Sequence, residues 1–230
     1  MDFTMKRILI GFFGSFFALF GVSLFAHGIT GPDQAFLLSN VGTQIGAFIY
    51  LGAKHMVTGY DHLLFLAGVI FFLYRLRDVA IYVTLFAVGH SITLLLGVLG
   101  GLHVNSYIVD AIIGLSIVYK AFENVGGFSQ MGLMVNTKAA VLVFGFFHGF
   151  GLATKLQDLA ISEEGLLPNM LSFNLGVEIG QLLALSVILV IFNFWRPTRS
   201  FIKHAYTVNI TLMGSGFILI GYQLTGYFLA

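Results

Sequence analysis

No cysteine occurs in the 230 residues, which excludes disulfides, thiolate nucleophiles and every soft sulfur ligand except methionine. Charge is also scarce: 9% of residues are Asp, Glu, Lys or Arg, and the formal net charge is +1. A balance this close to neutral offers no basis for holding nucleic acid. The alternating ten-residue pattern of a membrane barrel is absent, and proline is nearly so, with three in the whole chain. Any metal site must therefore be built from His, Asp, Glu, Asn, Gln, Met or backbone oxygen.

What fills the chain is hydrocarbon. Hydrophobic residues make up 58%, and several runs reach about 18 residues or more, the length of a membrane-crossing helix. Lipid cannot satisfy free backbone groups, so such runs must be helical. The expected class is an all-α polytopic membrane protein, with a lipid bilayer as its main surroundings. Lys6 and Arg7, then an apolar stretch and Ala26, have the layout of a signal peptide over residues 1–26, or of an uncleaved anchor helix. Cleavage after Ala26 would make His27 the new N-terminus and a chelating one. Residues 27–53 read as an outer segment ending in an interfacial helix, because Ser39, Asn40, Thr43 and Gln44 dilute its apolar character. Residues 52–230 read as a six-helix transmembrane domain with spans over 52–74, 79–101, 105–122, 138–155, 170–194 and 205–228.

Basic residues set the orientation. With the mature N-terminus and the C-terminus outside, Arg75, Arg77, Lys120, Lys138, Arg196, Arg199 and Lys203 fall inside, against Lys54 and Lys155 outside. Glycine pairs four apart, Gly97 with Gly101, Gly145 with Gly149 and Gly176 with Gly180, read as close helix packing. A homo-oligomer is left open.

Ionisable residues at membrane depth are costly, and their positions are the most informative feature. His62, His90 and His148 fall near the middle of three spans, and Asp110 and Glu178 lie in the outer halves of two more. His55 sits just outside that slab. His55 and His62 are seven residues apart, ~10 Å along a continuous helix, which is too far for one metal ion. Either the helix breaks at Thr58-Gly59 so that the pair converges, or the two serve successive sites. Ser91 and Thr93 follow His90 as hydroxyls able to hold its imidazole. Asn174, Glu178 and Gln181, spaced by four and three, share one helical face. The bland readings are an N-cap for Asp61, a structural hydrogen bond for any single histidine, and a solvated loop for Asp158, Glu163, Glu164 and His103. The set as a whole exceeds what packing requires. Imidazole with carboxylate is a ligand set for a divalent ion, nickel, cobalt or zinc, giving metal candidates His55, Asp61, His62, His90, His148 and Glu178 with Ser91, Thr93, Asp110, Asn174 and Gln181 around them.

Four motifs, His55-x4-Tyr60-Asp61-His62-Leu-Leu-Phe, Gly89-His90-Ser91-Ile-Thr93-Leu, Phe-His148-Gly149-Phe-Gly151 and Phe-Asn174-Leu-Gly-Val-Glu178-Ile-Gly-Gln181, resemble the HupE/UreJ family and in particular its second subfamily, over nearly all of the chain from about residue 35. The resemblance implies a bacterial inner-membrane protein with a signal peptide, linked to nickel supply for hydrogenase and urease and acting as a nickel or cobalt permease. It also implies that the metal role rests on His55, Asp61 and His62. Met56 departs from the proline of the hydrogenase-associated members.

Two functions of different class follow. One is a permease carrying a divalent ion in from the periplasm, for which the inner half offers no obvious ligands. The other is an intramembrane zinc hydrolase, with His62, His90 and His148 as ligands and Asp61 or Glu178 as general base. A tight cluster favours the hydrolase, and ligands strung along the membrane normal favour the permease.

Overall fold

The structure, a computed structural model, describes Ala35, Leu37 and residues 42–158 and 164–230, with the backbone alone for Asp158. The expected signal or anchor over 1–26, the chelating His27, most of the outer segment and Glu163 lie outside the described residues. Within them the chain is helical: α1 (Ile45–Thr58), α2 (Tyr60–Ile70), α3 (Leu76–Gly100), α4 (Ser106–Asn124), α5 (Gly127–Gln130), α6 (Thr137–Asp158), α7 (Leu166–Trp195) and α8 (Arg199–Leu229). Four are long and apolar enough to cross a membrane, namely α3, α6 over Thr137–Gln157, α7 and α8. The other two expected spans look different. α4, at 19 residues, carries Asp110, Lys120 and Glu123, and the first span is two helices meeting at Gly59.

Local chemistry sets the ends. Asn105 Oδ1 accepts from the Ile108 N–H at the start of α4, and Thr198 Oγ1 accepts from the Phe201 N–H at the start of α8. Gly101 closes α3 in the left-handed conformation at φ 62°, where a side chain would be strained. The carboxamide of Asn169, in the first turns of α7, accepts from the Gln44 N–H at 2.7 Å and donates to the Gly42 carbonyl at 2.9 Å. That latch fixes where α1 begins.

The helices pack mainly as three pairs, α1 with α7, α3 with α6 and α4 with α8. Glycines bring the backbones together. A Cβ on Gly176 or Gly180 would run into α1 at Ile49 or Ala53, one on Gly145 or Gly149 into α3 at Phe86 or His90, and one on Gly114 into α8 at Gly216. Two of the three glycine pairs noted in the sequence thus make such approaches, while Gly97 meets Ala153 and Gly101 has open space. The α2 helix is the axis of this arrangement. It touches α1, α3, α4, α7 and α8, and eight of its eleven residues are buried.

The residues 45–53, expected to belong to an interfacial helix, are the first part of α1. Phe48, Leu51, Gly52 and Met56 are buried, chiefly against α7, so this helix continues past the expected boundary to Thr58. Apolar character alone underrates such a segment, because a helix shielded by a neighbour tolerates polar residues on its other face.

Candidate metal centre

The break at Gly59 creates the site. Gly59 has φ −74° and ψ 104°; its N–H still closes α1 on the His55 carbonyl, and its own carbonyl starts α2 by accepting from Leu63. Taking that residue out of helical geometry folds the chain so that His55 and His62 converge. Their ring centroids are 5.1 Å apart. The room is tight, for a Cβ at residue 59 would come within 2.8 Å of His62 Nδ1. Of the two outcomes weighed in the sequence, convergence is the one found.

Around His62 the other imidazoles gather, with ring centroids at 6.1 Å for His90 on α3 and 5.1 Å for His148 on α6. His55, His62 and His90 each offer a ring nitrogen, and these three lie within 4.8 Å of one another. His62, His90 and His148 are fully buried.

Hydrogen bonds assign the protons. His148 Nδ1 lies 2.7 Å from the Phe144 carbonyl, which can only accept, so Nδ1 holds the proton and the lone pair is on Nε2. His62 Nδ1 lies 3.0 Å from Asp61 Oδ1, a carboxylate behind an imidazole, which turns the Nε2 lone pair toward the cluster. Neither ring nitrogen of His90 has a partner, and neither has His148 Nε2. Leaving such groups buried and unpaired costs about 1–3 kcal/mol each, unless something binds them. A convergent set of imidazole lone pairs in an apolar shell suits a divalent ion of the nickel, cobalt and zinc kind.

Below the histidines lies a layer of phenylalanine. Phe65 follows His62 on α2, Phe86 precedes His90 on α3, and Phe144 precedes His148 on α6, each about one turn further from Gly59. Phe65 packs on Phe86 at 5.4 Å and on Phe144 at 6.0 Å, and Phe86 meets the His148 ring at 4.8 Å. The cluster thus rests on an aromatic floor. The spacings Phe86-x3-His90 and Phe144-x3-His148 are legible in the sequence but were not read there.

Several expected members stand elsewhere or do other work. Glu178 is exposed on the outer face of α7, away from the cluster, because the opposite face of that helix is taken by α1. Thr93 does not hold the His90 imidazole. Its hydroxyl reaches the Phe146 carbonyl at 2.7 Å and the Gly89 carbonyl at 3.0 Å, tying α3 to α6. Ser91 is half-buried beside it. Gln181 reaches the Val83 carbonyl at 3.5 Å, and Asn174 is buried with neither end of its carboxamide bonded. Asp110 is bound to Lys155 at 2.7 Å.

The sequence also hid a polar layer on the far side of the phenylalanines. Lys120 Nζ bonds Glu123 Oε2 at 2.8 Å, and Thr137 donates to Glu123 Oε1. Asn124 Nδ2 bonds the Gly68 carbonyl at 2.8 Å and Asn209 Oδ1 at 2.9 Å, while Arg196 donates to the carbonyls of Ile70 and Phe71 at the end of α2. Lys120 counts in the sequence only among the inside basic residues, and nothing in its spacing to Glu123 announces a network.

In comparison with known proteins, the family model described as HupE / UreJ protein matches residues 32–230. No curated protein and no solved structure matches.

Proposed function

The chain belongs to the HupE/UreJ family, generally associated with nickel and cobalt transport, and from that premise we propose that it binds a divalent ion, nickel or cobalt, at His55, His62, His90 and His148 and conducts it from the periplasm across the bacterial inner membrane. The observation that carries the reading is the convergence of imidazole nitrogens from three separate helices within 4.8 Å. The metal here is cargo. Its site lies on the outer side in the orientation set by the basic residues, Asp61 holds His62 in its binding tautomer, and the polar layer of Glu123, Asn124 and Asn209 beyond the phenylalanines is the next hydrophilic station inward. Imidazole ligands and the lack of thiolate favour nickel, cobalt or zinc over copper(I).

The compact cluster on its aromatic floor favours a second reading, a zinc hydrolase closed on one side. That reading lacks a free base, since Glu178 is exposed elsewhere and one oxygen of Asp61 is on His62. The test is uptake of cobalt(II) or nickel(II) into proteoliposomes containing a trapped indicator, wild type against His62→Ala. Metal-dependent uptake lost in the variant supports the permease; tight zinc binding with no flux of any ion turns the reading to the enzyme.

A further inference from the structure

Building on the metal reading above, we propose that Asp110 and Lys155 form a second cation position beside the histidines, in which the Lys155 ammonium stands in for a divalent ion until one displaces it. Asp110 comes from α4 and Lys155 from α6, and Nζ holds Oδ2 at 2.7 Å. The other oxygen, Oδ1, is buried and has no hydrogen-bond partner, in a side chain 7% exposed. A buried carboxylate ordinarily has both oxygens engaged. One engaged oxygen and one bare oxygen in a small space is what a carboxylate keeps when it has a second cation to receive.

Gly151 on α6 faces Oδ1: a Cβ there would stand 3.3 Å from that oxygen, 3.2 Å from Ile113 Cδ1 and 3.4 Å from Val109 Cγ1, so a side chain at this position would crowd the bare oxygen. Gly151 is three residues from His148 and Lys155 is seven from it, so on a helix Lys155 shares the face of His148 about 10 Å outward, with the Asp110 carboxylate roughly one turn from the histidine level. Asp110 is within electrostatic reach of Asp61 and His62, and Lys155 of His55. Next to Lys155 in the chain, the Thr154 hydroxyl is also buried and unbonded. A carboxylate oxygen suits an ion that still carries part of its hydration shell, whereas the imidazoles suit one that has lost it. The Asp110 position therefore precedes the histidines on the ion's path.

The exchange is an ion-for-ion swap with no bond made or broken. A doubly charged ion takes the carboxylate, and the Lys155 side chain, 21% exposed and flexible, carries its single charge out to water. Until then the ammonium neutralises a carboxylate that would be costly alone at this depth.

Cobalt(II) chloride titrated into the purified full chain tests this, with wild type, Lys155→Gln and the double variant Lys155→Gln with Asp110→Asn. Freeing the carboxylate raises cobalt affinity by about tenfold in Lys155→Gln, and removing it in the double variant abolishes that gain. Unchanged affinity in Lys155→Gln, or a gain that survives in the double variant, overturns the proposal. Wild-type protein gives an independent measurement: amine acylation followed by mass spectrometry shows Lys155 labelling several-fold faster at saturating cobalt, with exposed Lys203 as reference, and unaltered labelling of Lys155 also overturns it. Failure of the histidine reading looks different, since wild type would then bind cobalt no better than His62→Ala whatever happens at Lys155.

Discussion

The two polar layers on either side of the phenylalanine floor are built from different residues, imidazoles on one side and amides with a Lys-Glu pair on the other, and their polar atoms are treated in opposite ways. In the far layer Glu123 is held by Lys120 and Thr137, and Asn209 accepts from Asn124 while donating to the Ala205 carbonyl at 2.8 Å, with Arg196 Nε the one buried atom of the named side chains left bare. In the near layer His90, His148 and Asp110 keep bare nitrogens and a bare oxygen. Burial alone does not separate them, since Asn209 is as buried as His90, 1% and 0% exposed, although Glu123, Asn124 and Arg196 are half-buried. Satisfaction does. A satisfied buried network holds helices together, and an unsatisfied one stores free energy that a ligand can release.

That comparison can be broken by mutation. The largest effect is expected for His62→Ala, which should weaken cobalt or nickel binding about 100-fold or more by titration, while circular dichroism remains helical. Phe86→Ala comes next. It removes part of the floor and should cost about 3–5 kcal/mol in detergent unfolding, with passive ion leak in proteoliposomes wherever the fold survives. In the bonded layer, Asn209→Leu should lower stability by about 1–3 kcal/mol and leave metal affinity within error, because it removes one of the two bonds of the Asn124 amide and the bond to the Ala205 carbonyl. His90→Leu is the sharpest contrast. It deletes a buried group that has no partner, and should stabilise the metal-free protein by about 1 kcal/mol while abolishing tight binding. If His90→Leu instead destabilises as Asn209→Leu does, the distinction between the layers is wrong. The smallest effect is expected for Glu178→Gln, less than about 0.5 kcal/mol and no change in affinity, since that carboxylate lies outside the site.

Much of this was legible in the chain and some was not, for physical reasons. Long apolar runs announce helices because lipid leaves no alternative, and α3, α4, α6, α7 and α8 lie within a few residues of the spans read from hydropathy, α8 beginning six earlier. The glycine after Thr58 advertised the break, because that residue leaves a helix at little cost. The three histidines at mid-span depth pointed to one slab, and they meet there, joined by His55 from just outside it. Glu178 did not follow, since depth gives the level of a residue but not the direction it faces. Direction depends on which face of α7 the α1 helix occupies, and that is a tertiary fact. Thr93 failed in the same way, its hydroxyl preferring carbonyls of α3 and α6 to the imidazole beside it in sequence. The far layer stayed hidden because its partners are up to 85 residues apart and have no shared spacing.

The latch between Asn169 and the start of α1 has a consequence for synthesis. Residue 44 is made 125 residues before the side chain that holds it, and α1 lies chiefly against α7, which emerges only after residue 166. His62 and His90 can be inserted early, but His55, which meets His62 from one side, gains its contact with Phe173 only when α7 arrives. The nitrogens are therefore all made before the helix that walls in His55, and the complete site closes only late in synthesis.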